Sequence, residues 1–117
     1  MRKNLTKEER IKKRNDIQAV FMSSFQTKSD GIRLKYIENG LGFCRFAVSL
    51  VKRYGNSIKR NKAKRVVREV LRLEKYKIIP GFDILLIVYP VYETFSERRR
   101  QILLGLEKAE LIKSEFC

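Results

Sequence analysis

The chain has 117 residues, 44% of them hydrophobic, which is enough for the core of one compact domain and excludes disorder by composition. Lys and Arg number 27 against 13 Asp and Glu, and the resulting net charge of +14 favours a polyanionic partner such as nucleic acid or an anionic membrane. The sequence contains no His, which excludes Ser-His and Cys-His catalytic pairs and imidazole-bound zinc.

The N-terminal region combines a basic segment with an amphipathic one. Residues 1–12 are polar and basic, and we expect a poorly ordered arm at the start of a single domain that spans residues 1–117. Thr6 and Glu9 have the spacing of a capping box. A first helix is predicted over residues 14–24, with one apolar face formed by Ile17, Val20, Phe21 and Met22.

Three strands are predicted next. Residues 25–28 favour a short strand, and a turn follows at residues 29–31. Residues 32–38 and 43–51 both alternate between apolar and polar side chains, as half-buried strands do. Asn39-Gly40 lies between them and is typical of a tight hairpin turn. The sequence therefore predicts that these two strands pair as an antiparallel hairpin.

The second half alternates helix, strand and helix. A helix capped by Asn56 or Ser57 is predicted to end near Glu74. The continuously apolar run at residues 84–88 is typical of a central strand buried on both faces, and it is too short to span a membrane. A capping box at residues 94–97 opens a last helix over residues 94–112, with an inner stripe of Phe95, Ile102, Leu103, Leu106 and Ala109. This order predicts an α+β domain.

The helix after residue 56 carries the clearest functional pattern. The segment 52–72 contains nine Lys or Arg and one acid, Glu69. At 100° per residue, one side of the helix is apolar, with Ala63, Val67, Val70 and Leu71. The opposite side groups Asn61, Lys64, Arg65, Arg68 and Arg72. Cations without interspersed acids repel each other until phosphates neutralise them, so we predict an RNA-binding face. A helix lying on a membrane would need larger apolar side chains.

Two stretches resemble a known family. Residues 46–69 combine a strand ending near Ser49, the basic pair Lys52-Arg53, Gly55-Asn56, Arg60-Asn61-Lys62, Lys64-Arg65 and Arg68. This order is similar to the signature of the bacterial ribonuclease P protein. Residues 10–21, with Asp16, Ile17, Val20 and Phe21, are similar to the family's Leu-Lys-Lys-x-x-Asp-Phe-x-x-Val-Phe stretch.

The resemblance implies a fold and a set of site residues. The expected fold is a compact α/β sandwich of order α-β-β-β-α-β-α, with a small mixed sheet and a left-handed βαβ crossover. The side chains implied to bind ribonuclease P RNA are Arg60, Asn61, Lys62, Lys64, Arg65 and Arg68. Helical periodicity adds Arg72 to this set. The single-stranded 5′ leader of precursor tRNA would lie in a cleft lined by Ile17 and Phe21, with Lys52 and Arg53 near its rim.

Two positions depart from the family pattern. Lys62 replaces Arg and lacks the planar guanidinium fork, and Ile17 replaces Phe and cannot stack on a base. Phe21 is open to two interpretations, as a lining of the cleft or as part of the core.

The resemblance also implies an activity. The protein would be the accessory subunit of an RNA-based endoribonuclease, with Mg²⁺ bound mainly by the RNA. The acids are dispersed, and Asp83 at a strand start is more typical of a turn than of a metal site. Cys44 and Cys117 do not suggest a disulfide framework, so a cytoplasmic location is expected. A structural RNA-binding protein, such as a small ribosomal protein, fits the size and charge equally well. A DNA-binding module is disfavoured because a strand, not a helix, precedes the basic helix.

Overall fold

The predicted order of helices and strands is confirmed. The protein's structure is a computed structural model that describes residues 7–113. The fold is α+β, and its elements are α1 (Arg14–Phe21), β1 (Gln26–Lys28), β2 (Ile32–Glu38), β3 (Arg45–Leu50), α2 (Ser57–Glu74), β4 (Phe82–Val88) and α3 (Phe95–Lys108), with a short 3-10 turn at Lys75–Lys77.

The four strands form one mixed sheet, in the order β1-β2-β4-β3. β4 pairs antiparallel with β2 and parallel with β3, so that Leu86 lies between Leu34 and Val48. The predicted hairpin between β2 and β3 is therefore wrong, although Gly40 does adopt the left-handed conformation, with φ +70°. The apolar run of β4 requires cover on both faces, which an interior position provides. The connection from β2 to β3 is long enough to pass the end of β4.

Helices cover the two faces of the sheet unequally. α2 and α3 pack on one face and enclose the main core, which includes Leu34, Phe46, Val67, Leu86 and Ile102. On the other face α1 contributes Val20, which is fully buried against Leu85 and Ile11. The short α1 leaves part of this second face open, which creates room for a cleft.

Some predicted core positions lie at the surface. α1 ends at Phe21, earlier than predicted, and Phe21 and Met22 are 51% and 72% exposed. The interpretation of Phe21 as a core residue is therefore wrong. In α3 the ring of Phe95 is exposed, while Arg98 and Gln101 are completely buried on the inner side. Periodicity alone missed these two, because the backbone carbonyl groups that they bind belong to segments outside α3.

The segment before α1 belongs partly to the sheet. Ile11 N donates to Phe46 O (2.9 Å), Phe46 N donates to Glu9 O (2.7 Å), and the Ile11 side chain is buried. Residues 9–11 thus extend the outer edge of β3, which differs from the arm expected for residues 1–12. Thr6 of the predicted capping box and Cys117 lie outside the described residues.

A three-residue ion-pair group ties α1 to the sheet. Arg45 of β3 donates to both carboxylate oxygens of Asp83 in β4, at 2.8 and 2.6 Å, and to Asp16 of α1 at 3.4 Å. Asp83 also accepts a hydrogen bond from the Asn39 side chain at 3.0 Å. Asp83 lies within β4 and is buried as the ion-pair partner of Arg45. Its hydrogen bond with Asn39 supports the connection after β2, so the predicted turn role is only one part of what Asp83 does.

Candidate nucleic-acid interface

The start of α2 is fixed by two residues with defined backbone roles. The Asn56 side chain accepts a hydrogen bond from Lys59 N (2.9 Å) and caps the helix. Gly55 has φ +138°, a conformation that side chains with a Cβ rarely adopt, and a Cβ there would lie 3.2 Å from Lys59 Cδ. This turn sets where the basic helix leaves the sheet. The predicted apolar side then packs inward, and Ala63, Val67, Val70 and Leu71 are buried.

The opposite side of α2 forms a concave basic surface. Five side chains predicted to share this side line one cavity of about 550 Å³ together with Arg10 and Glu69. We call this surface the basic face, and its α2 members are Asn61, Lys64, Arg65, Arg68 and Arg72. The structure therefore brings together the residues that helical periodicity grouped.

Most cations of the basic face lack a counter-charge. Arg72 Nε donates to Glu69 at 2.9 Å, which lowers the pKa of the Glu69 carboxyl and raises that of Arg72. Among residues 7–113, no carboxylate forms an ion pair with Lys64, Arg65 or Arg68. Closely spaced, unpaired cations of this kind suit the phosphate groups of a nucleic acid.

Two of the predicted RNA-binding residues lie on the flanks of α2. Arg60 folds back towards the preceding turn, where its Nη1 donates to Val51 O at 3.3 Å. Lys62 points into a different cavity, together with Glu93 and Phe95. Neither side chain lines the basic face, because each is about 100° from Asn61 around the helix.

A second cavity, of about 310 Å³, adjoins the basic face. It contains Ile17, as predicted for the leader cleft, and its other lining residues are Arg10, Ile11, Lys12, Phe46, Ala47, Val48 and Arg68. Arg10 and Arg68 line both cavities, so the two form one continuous basic surface. Sequence reasoning did not predict that Arg10 and Lys12 line this cleft. The one sequence feature that indicated it is the apolar Ile11 between two cations, which is typical of a segment that packs against the sheet.

The other residues predicted for the cleft do not line it. Phe21 lies at the end of α1, with Lys35 Nζ 4.8 Å from its ring centroid. Lys52 and Arg53 are exposed in the turn between β3 and α2. The structure therefore supplies the cleft with a different set of cations from the predicted pair.

The buried acidic side chains Glu74 and Asp83 form ion pairs. Glu74 Oε1 accepts from Arg99 Nε at 2.5 Å, and Glu74 Oε2 lies 3.0 Å from Lys77 Nζ. Burial alone would raise the pKa of Glu74, but these hydrogen bonds outweigh it and lower the pKa. Asp83 is held by Arg45. Within residues 7–113, no group of three or more Cys, Asp or Glu side chains is arranged to hold a metal ion.

None of the described helices is both long enough and apolar enough to cross a lipid bilayer.

Comparisons with known proteins agree on one family. A family model described as Ribonuclease P matches residues 5–110. The ribonuclease P protein component of Thermotoga petrophila is 32% identical over 87 residues, which cover 74% of each chain. That of Thermoanaerobacter sp. (strain X514) is 30% identical over 109 residues, covering 89% of this chain and 91% of the relative.

Solved structures give the same result. The fold is similar to that of a Staphylococcus aureus RNase P protein mutant with defective mRNA degradation activity, with a TM-score of 0.82, 26% identity, and coverage of 91% of this chain and 92% of that one. It is also similar to the RNase P protein from Thermotoga maritima, with a TM-score of 0.74, 27% identity, and coverage of 82% and 93%.

Proposed function

Because the chain belongs to the ribonuclease P protein family, we propose that it binds ribonuclease P RNA through the basic face and holds the 5′ leader of precursor tRNA in the adjoining cleft. In this role it assists the endonucleolytic maturation of the 5′ end of tRNA. Membership of the family makes it the protein component of a ribonucleoprotein endoribonuclease.

The observation that carries the proposal is the continuity of the two cavities. Arg68 projects from α2 and Arg10 from the segment beside β3, and each lines both the basic face and the cleft. A folded RNA on the basic face and a single strand in the cleft would each meet these two cations. Guanidinium groups can bond two phosphate oxygens at once, which suits a junction between two strands.

The cleft has the composition expected for a single strand without base stacking. Arg10 and Lys12 can neutralise phosphates, while Ile17, Ala47 and Val48 offer apolar contact. Phe46 also lines the cleft, but it is buried in the core and only 4% exposed, so the cleft offers no open aromatic platform beside Ile17. Leader binding there would therefore depend mainly on charge and shape. We expect a correspondingly weak preference for leader sequence at this position.

In this proposal, catalysis and the Mg²⁺ ions it needs belong to the RNA. Mg²⁺ prefers a near-octahedral set of oxygen ligands. The buried carboxylates of Asp83 and Glu74 are already held by Arg45 and Arg99, which supports assigning the metal to the partner RNA. The protein would lower the repulsion between leader, tRNA and catalytic RNA by adding positive charge.

The test is reconstitution of purified protein with ribonuclease P RNA and precursor tRNA at low Mg²⁺. We expect the protein to bind the RNA and to accelerate cleavage, with a larger gain for a precursor that carries a long leader than for one with a single leader nucleotide. A protein that neither binds this RNA nor improves cleavage would disprove the proposal.

Two variants separate the two binding surfaces. Arg68→Ala should weaken both RNA binding and the leader-dependent gain, because Arg68 lines both cavities. Ile17→Ser should reduce only the leader-dependent gain. Equal loss of catalytic-RNA affinity in both variants would contradict the assignment of the cleft to the leader.

A further inference from the structure

A third cavity, of about 500 Å³, lies on the flank of α2 that faces the start of α3. We call it the flank cavity, and its lining residues are Lys59, Lys62, Ala63, Val66, Glu93, Thr94 and Phe95. It shares no residue with the basic face or the cleft. Any ligand here would therefore contact α2 from a different direction.

The flank cavity combines an exposed ring with unpaired cations. Thr94 caps α3 and accepts a hydrogen bond from Glu97 N, which places Phe95 in the first turn, where the residue is 38% exposed. Lys59 and Lys62 are exposed, and neither forms an ion pair with a carboxylate of the described part of the chain. An aromatic ring beside lysines is the usual arrangement for binding an unstacked base and its phosphates.

Glu93 adds a group that phosphate binding alone does not explain. Glu93 lines the same cavity, and its carboxylate accepts a hydrogen bond from the Tyr54 hydroxyl. That hydroxyl accepts in turn from Arg98 Nη2 at 2.8 Å, and Arg98 is completely buried. Burial and the bond to Glu93 raise the pKa of Tyr54 to about 12, so the hydroxyl remains a donor at physiological pH. The carboxylate is thus held in a defined position.

A carboxylate in a defined position discriminates between bases. An ionised carboxylate can only accept hydrogen bonds. On its Watson–Crick edge, guanine presents two adjacent donors, the N1 imino and N2 amino groups, which match the two carboxylate oxygens. Adenine, cytosine and uracil each place an acceptor beside their single donor group, and that acceptor would face a negative charge.

We propose that the flank cavity binds an unpaired guanine nucleotide of RNA, with the base stacked on Phe95, its Watson–Crick edge donating to Glu93, and its phosphates beside Lys59 and Lys62. The inference rests on the proposed function, because it requires an RNA partner. A guanine site here would give Lys62 an RNA contact separate from the basic face. RNA would then contact α2 on two of its sides.

The direct test is an amide chemical-shift titration of the full chain with single-stranded tetranucleotides that differ in one base. UUGU should shift the amide signals of residues 59–66 and 93–95, and UUAU, UUCU and UUUU should shift them less. Phe95→Leu keeps an apolar side chain but removes the flat ring, and should weaken UUGU binding at least about fivefold, the lower end of the effect of one base–aromatic stack. Tyr76→Leu is the matched control, because Tyr76 is an exposed ring outside the flank cavity.

A second variant tests the recognition of guanine. Glu93→Gln keeps an acceptor for Tyr54 but places an amide donor opposite guanine, so it should abolish the preference for UUGU without loss of the folded spectrum. Equal shifts with all four tetranucleotides in the unmodified chain, or a preference retained in the Gln variant, would overturn the proposal.

Failure of this inference is distinguishable from failure of the proposed function. If ribonuclease P RNA binds and Arg65→Ala weakens it, but UUGU leaves residues 59–66 and 93–95 unshifted, the flank cavity is not a guanine site and the proposed function stands. If ribonuclease P RNA does not bind at all, the proposed function fails first.

Discussion

Replacing Arg65 by Ala should weaken RNA binding through the loss of one phosphate contact, and the size of the loss can be calculated. Arg65 is exposed at the centre of the basic face and forms no ion pair with a described carboxylate. Its removal leaves no buried group without a partner. We therefore expect a change in the free energy of unfolding within about 0.5 kcal/mol.

The expected magnitude follows from counterion release. Each phosphate that a cation neutralises contributes about 0.7–0.9 to the slope of log K against log salt concentration. Loss of Arg65 should reduce the slope by that amount, which corresponds to about fivefold weaker binding at about 0.15 M salt and about tenfold at about 0.05 M. The difference between wild type and variant should therefore shrink as salt rises.

The assay is a binding titration with ribonuclease P RNA at several salt concentrations, and Arg100→Ala is the matched control. Arg100 is an exposed Arg of α3 that lies 3.4 Å from Asp30, and its removal lowers the net charge by the same unit. We expect the control to keep the wild-type slope. If both variants lose affinity equally, net charge and not the basic face drives binding, and the reasoning is refuted.

Three further predictions concern α2. Glu69→Gln should release Arg72 and steepen the salt slope by about 0.7–0.9, so a shallower slope would contradict the assignment of Arg72 to the basic face. Val67→Asp should abolish the cooperative thermal transition seen by circular dichroism, because an unpaired charge at this fully buried position costs about 4 kcal/mol or more. Val66→Asp is the control, and this variant should still melt cooperatively because Val66 is half-exposed. Glu74 has a pKa below its ordinary 4.5, so the stability it contributes is present above that pH and is lost as pH falls through the lower folded value. Thermal melts between neutral pH and about pH 3 should show a shallower decline for Glu74→Gln, and identical pH profiles would contradict the ion-pair assignment.

The elements of this fold were predictable where local chemistry determines them. The two sides of α2 follow from helical periodicity, and the Val67 and Arg65 sides appear as expected. The capping box at Thr94 and Glu97 marks the start of α3 because both hydrogen bonds form within four residues. Such signals need no knowledge of the rest of the chain.

Strand pairing could not be predicted in the same way. Asn39-Gly40 favours a hairpin locally, but β4 carries a more strongly apolar run and takes the interior position. The pairing of Glu9 and Ile11 with Phe46 was missed for a related reason, since one apolar residue among cations gives little periodic signal. Both errors concern contacts between segments distant in sequence.

The candidate site was predicted for α2 better than for its surroundings. Side chains that share a helical face can be read from spacing, whereas Arg10 and Lys12 join the cleft through sheet pairing. Arg98 can be buried because it donates to the carbonyl groups of Gly31 and Tyr89. These two groups meet only in the folded chain, so the burial of Arg98 could not be predicted from the sequence.

The interior position of β4 has a consequence for synthesis of the protein on the ribosome. The strand that joins β2 to β3 is made after both of them and after α2. Until β4 emerges, the nascent chain has two strands without their shared neighbour, and their unpaired edges are exposed to self-association. The complete sheet can therefore form only after the last third of the polypeptide has been made. A chain released before residue 82 would contain the basic helix but would lack the strand that completes the sheet against which this helix packs.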